Sequence, residues 1–165
     1  MKKILNITNG DSAVAIMQKA HIPGIFLPWR DVLHDGPVPA DLSLEQLSKI
    51  RAAFIVDRQW GEAKTIKQHF IERDNTLKVF QNFEKIILWF EHDLYDQLQL
   101  IQILDWFHHL KKGDTKLSLI CEDQYLGILT PGQMLGLKKL EKPVTENQFT
   151  LASKAWAAFR APTPE

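Results

Sequence analysis

The chain has 165 residues and a hydrophobic content of 45%, enough for one domain with a proper core. Its 20 basic and 20 acidic residues cancel to a formal net charge of zero, which removes any long-range pull toward nucleic acid or an anionic membrane. Cys121 is the single cysteine, so an internal disulfide is excluded and a reducing, cytoplasmic setting is expected.

Met1-Lys2-Lys3-Ile4-Leu5-Asn6 starts with positive charge but lacks the continuous apolar run of a signal peptide. Lys3 to Thr8 then reads as a strand, rich in apolar and β-branched residues. Asn9-Gly10-Asp11-Ser12 makes a tight turn, and Ala13, Val14, Ile16, Met17 and Ala20 fit one helical face, with Asp11 or Ser12 as N-cap. Pro23-Gly24 stops that helix. Ile25-Phe26-Leu27 is a second strand, opening into a long loop from Pro28 to Asp41, a length often associated with function or mobility.

Ser43-Leu44-Glu45-Gln46 fits a capping box, which predicts a helix to about Gln59. A further helical region follows Gly61 and runs toward Phe83, with a break expected around Arg73-Asp74-Asn75. Ile86 to Phe90 is the clearest strand, apolar on both faces as in a central parallel strand covered by helices. Leu94 to about Leu110 is a long helix, and the longest apolar-rich stretch, Leu98 to Leu110, is too short and too polar to span a bilayer. Leu117 to Cys121 is another strand. Thr130-Pro131 starts a short helix, and Thr145-Glu146-Asn147-Gln148 caps a last one reaching about Arg160, before a linker-like tail with Pro162 and Pro164.

Strands alternating with helices imply an α/β fold: an open, mostly parallel sheet of about four strands flanked by helices, a three-layer arrangement of the Rossmann-like or flavodoxin-like kind. Residues 1–125 form the α/β domain, and residues 126–165 form a helical extension packed on it. Strand order and oligomeric state are not readable.

Each proposed strand gives way to a segment bearing a carboxylate: Asp11, Asp31, Glu91 with Asp93, and Glu122 with Asp123. In open parallel sheets ligands bind at the carboxyl ends of the strands, so these loops are expected to share one rim. The turn Asn9-Gly10-Asp11-Ser12 offers backbone N–H groups and a helix N-terminus to an anion, although it is neither a P-loop nor Gly-x-Gly-x-x-Gly. Gly10 merely permitting the turn, with Asp11 as cap, is the structural alternative. Gly10-Asp11-Ser12 also suggests a serine hydrolase using Ser12, but Asp105-Trp106-Phe107-His108 lies inside a helix and Asp31-Val32-Leu33-His34 comes too early.

Glu91 and Asp93 point the same way if the strand continues, with His92 opposite; the two acids suit Mg²⁺ with a phosphate-bearing substrate, or acid–base chemistry. Asp93 also suits helix capping. No His or Cys pair has zinc spacing, so no metal ligand set is assigned. Asp96 has a sufficient reason in the helix dipole. Trp29, Trp89, Trp106 and Trp156 are expected in or near the core, and Arg30 is placed to clamp an anion or neutralise nearby acids.

Asn9 to Ser12, Trp29 to Pro39, Leu88 to Leu98, Tyr125-Leu126-Gly127 and Ala155 to Arg160 together resemble a bacterial family known as domain of unknown function 1835. The resemblance spans nearly the whole chain and implies that the family's characteristic polar residues fall at these strand ends. It brings no chemistry. Members of that family are often longer, with a further C-terminal region, and whether one belongs after Arg160 is not readable from this sequence.

The leading expectation is a small-molecule binding domain or enzyme acting on an anionic, phosphate- or nucleotide-like ligand. Asp11, Asp31, His34, Glu91, His92 and Asp93 are the catalytic candidates; Asn9, Gly10, Ser12, Arg30, Asp35, Tyr95 and Gln97 are the ligand contacts. A protein-interaction or regulatory module docking through the loop from Trp29 to Pro39 is the alternative. Neutral charge weighs against nucleic acid.

Overall fold

β1 (Lys3–Thr8) leads through α1 (Asp11–Lys19), β2 (Ile25–Pro28), α2 (Leu44–Asp57) and α3 (Ala63–Lys78) to β3 (Phe83–Glu91) and α4 (Leu94–His108). β4 (Lys116–Glu122), α5 (Pro131–Gly136), β5 (Lys142–Pro143) and α6 (Glu146–Phe159) complete the computed structural model, which describes residues 3–163. The positive start at Met1-Lys2 and the tail at Pro164 lie outside the described residues.

The five strands form one sheet in the order β2-β1-β3-β4-β5, parallel except for β5. The open, mostly parallel sheet flanked by helices is as expected, and it gains a fifth strand. β5 is two residues long and pairs antiparallel with β4, Ser118 opposite Pro143. It carries no apolar run to betray it, and its proline is tolerated because β5 is an edge.

β3 divides the core between two layers, because successive side chains on a strand face opposite ways. Ile86, Leu88 and Phe90 join Leu5, Ile7, Leu104, Phe107, Phe149 and Ala152 beneath α4 and α6. Ile87 and Trp89 join Ala13, Met17 and Met134 beneath α1 and α5. Trp29, Trp89 and Trp156 are buried and Trp106 is half-buried, as expected of core aromatics. Among the described residues no helix is long and apolar enough to cross a membrane.

Two local expectations are corrected. α3 runs unbroken through Arg73-Asp74-Asn75, because Arg73 faces inward: its guanidinium lies 4.1 Å from the Trp29 ring centroid and donates to Ser48 Oγ at 2.8 Å. The N-cap of α1 is Gly10, with no side-chain cap hydrogen bond, and Asp11 is already helical. Both capping boxes form as read, at Ser43 with Gln46 and at Thr145 with Gln148.

Candidate functional site

β1 has β2 on one side and β3 on the other, so the chain reverses its direction of travel across the sheet at β1 and β3. Such a switch point opens a crevice beyond the strand ends. Thr8 stands opposite Trp89 in the β1–β3 register, which puts Asn9 beside the end of β3, where Glu91 leaves the sheet.

Asn9 reaches across that crevice. Its Nδ2 donates to Glu91 Oε1 at 3.2 Å and to Asp96 Oδ1 at 3.0 Å. Asp96 Oδ2 accepts the Glu91 backbone N–H at 2.7 Å, and Glu91 Oε1 also accepts the Leu126 N–H at 2.8 Å. Asp93 caps α4, its Oδ1 accepting the Asp96 N–H at 2.9 Å. Glu91, Asp93 and Asp96 each present a carboxylate oxygen, and these oxygens all lie within 4.8 Å of one another.

Glu91 is 5% exposed and Asp96 3%, whereas Asp93 stands in solvent, so two dry acids sit behind a wet one. Burial raises the pKa of Glu91; the Leu126 N–H opposes this, the Asp96 and Asp93 charges reinforce it, and Asn9 opposes it. Burial likewise raises Asp96, against hydrogen bonds from the Glu91 N–H and Asn9 and with the Asp93 charge adding to it. Every donor to the Glu91 carboxylate arrives at Oε1 and the single donor to the Asp93 carboxylate at Oδ1. Glu91 Oε2 and Asp93 Oδ2 therefore have no protein partner among the described residues.

Gly10 borders the crevice with φ −167°, an extended conformation open to any residue. A Cβ there would meet nothing within 4 Å, so the backbone of the turn is open to approach. The far wall is tight: a Cβ at Gly127 would stand 3.0 Å from Ser12 Cβ and 2.9 Å from Tyr125 Cζ. That close approach keeps the loop after β4 against α1 and delivers the Leu126 N–H to Glu91.

Of the expected rim of acids, β3 and the start of α4 supply the cluster, Asp11, Asp31 and Glu122 are engaged elsewhere, and Asp123 is exposed outside the cluster. Asp11 is gripped by Arg30, which donates from Nε at 2.8 Å and from a terminal nitrogen at 2.7 Å, and these bonds hold its pKa below the usual value. Asp31 is buried, its Oδ1 bound by Arg51 Nε at 3.0 Å, and it is not a member of the cluster. Arg51 also collects the carbonyls of Val32, Asp35 and Pro37, so the long loop after β2 is tied to α2. Asp35 makes a loose 3.5 Å pair with exposed Arg58. Glu122 Oε1 accepts the N–H of Asp123.

His34 and Tyr95 are both exposed and meet edge to face at 4.1 Å between ring centroids. His92 is exposed, its N–H bound to the Glu122 carbonyl at 2.9 Å. Gln97 Nε2 donates to the Glu91 carbonyl at 2.8 Å and steadies the strand end. Among the described residues no histidine hydrogen bonds to Ser12, which leaves a serine nucleophile there without a base. Asp96 is the functional candidate that the sequence missed. Only the acid pair Glu91 and Asp93 five and three residues before it hinted at more than a dipole role.

No protein-family model matches the chain, no curated protein matches it, and no solved structure matches it.

Proposed function

We propose that this chain binds a divalent cation together with an anionic, phosphate-bearing small molecule in the crevice between β1 and β3. The observation that carries the reading is the convergence of Glu91, Asp93 and Asp96 within 4.8 Å beside the uncapped start of α1. Mg²⁺ takes one or two carboxylate oxygens and completes its shell with water and substrate phosphates. Glu91 Oε2 and Asp93 Oδ2 are two such oxygens. The first-turn N–H groups of α1, together with the positive end of its dipole, favour the anion.

Thermal unfolding with Mg²⁺, pyrophosphate and both together tests this reading, because whatever binds only the folded state raises the midpoint. The expected result is a larger rise with both than the sum of the separate rises. No rise with any of the three rejects the site. The motif resemblance supports a second proposal, that the chain belongs to the bacterial domain of unknown function 1835 family.

A further inference from the structure

Beside Asp11 and Arg30 the surface sinks into a cleft of about 280 Å³, walled by those two residues and by Trp60, Thr65, His69 and Phe70. Trp60 is 51% exposed, unlike Trp29, Trp89 and Trp156. It is nevertheless fixed in place. α2 ends in a Schellman motif: Gln59 adopts φ +58°, the Gln59 N–H donates to the Val56 carbonyl at 2.9 Å, and the Trp60 N–H donates to the Ile55 carbonyl at 3.2 Å. The Trp60 ring then meets Phe54 edge-on at 5.8 Å, which leaves an indole packed against one neighbour and half open to solvent. An ordered aromatic surface of this kind loses little freedom when a planar ring stacks on it.

The polar side of the cleft is equally ordered. Arg30 sits at φ +58°, a left-handed conformation that a non-glycine residue adopts only when its surroundings impose it. Its N–H is bonded to the Asn9 carbonyl at 2.9 Å and its guanidinium to Asp11. His69 adds an imidazole to the opposite wall. Asp11, which lines the cleft, is also the first residue of α1. Two residues span at most about 7 Å, so the cleft wall begins within that distance of Asn9, which holds both buried acids.

We propose that the cleft receives the planar heteroaromatic ring of a nucleoside phosphate, stacked on Trp60, while its phosphate end lies at the start of α1. This rests on the cation-and-anion reading of the neighbouring crevice. Arg30 and His69 supply polar groups for the edges of such a ring, beside the bonds that already join Arg30 to Asp11 and the Thr65 hydroxyl to Glu62 in the same cleft.

Calorimetric titration of ADP and of pyrophosphate, each with Mg²⁺, tests the assignment in the wild-type chain and in Trp60→Ala. ADP is expected to bind about tenfold more tightly than pyrophosphate, the scale of one stacked base. Trp60→Ala should abolish that advantage and leave pyrophosphate binding intact, which also shows that the variant folds. Equal wild-type binding of the two ligands overturns the ring site and spares the crevice. An ADP advantage that survives Trp60→Ala also overturns it. Absence of binding by both ligands overturns the crevice reading and this one with it.

Discussion

Asn9 on the turn after β1 and Asp96 on the first turn of α4 are joined by a 3.0 Å side-chain hydrogen bond across 87 positions of chain. The same amide nitrogen donates to Glu91, so one neutral side chain holds two buried acids together. Replacing it with an acid removes the donor and adds a like charge. Asn9→Asp should therefore lower stability by about 1–3 kcal/mol in urea unfolding, and Mg²⁺ should restore part of the loss. An Asn9→Asp chain as stable as wild type with no metal present would show that the amide does not hold the acids.

Glu91 and Asp96 give the metal-free protein a pH dependence of definite sign. Both folded pKa values are raised, mainly by burial, so the folded state binds protons more readily than the unfolded chain. The associated stability is fully present below the ordinary carboxylate range and is lost as pH rises through the elevated folded values. Glu91→Gln keeps an acceptor for Asn9 and Leu126 and never acquires the charge. Its stability relative to wild type should increase across that window, and the variant should be the more stable at neutral pH without metal. Urea midpoints measured from acid to neutral pH check this. A variant less stable than wild type at neutral pH contradicts it.

Asp31 belongs to the architecture of the long loop. Its carboxylate and Arg51 are both fully buried, and Arg51 in turn holds three loop carbonyls. Asp31→Asn leaves that guanidinium without its counter-charge in the interior, at a cost of about 3–5 kcal/mol. Equilibrium unfolding reads the loss. Cation affinity of the folded fraction should be unchanged, whereas a cation ligand at this position would lose both together.

The strand ends were legible because each apolar run stops at a polar turn, and the capping boxes were legible because their chemistry is local. Partners distant in sequence were not. Asp31 looked like a rim acid because nothing local announces that Arg51 on α2 will neutralise it. Asp96 looked like an acid that merely suits a helix start, because its burial against Asn9 exists only once β1 and β3 are neighbours. The polar run Arg73-Asp74-Asn75 suggested a break for the same reason, since the Trp29 face that receives Arg73 lies 44 residues away.

Binding of Mn²⁺, followed by loss of its free-ion electron paramagnetic resonance signal, tests the acid cluster most directly when wild type is set against Asp93→Asn. Asparagine still caps α4 but removes the solvent-facing charge, so the fold is kept while a ligand is lost. The cluster predicts one saturable ion per wild-type chain, held more tightly as pH rises because the raised carboxyls must shed protons, with affinity at least about tenfold weaker in Asp93→Asn. Equal affinity in the two proteins, or no saturable ion in either, contradicts a cation held by Glu91, Asp93 and Asp96.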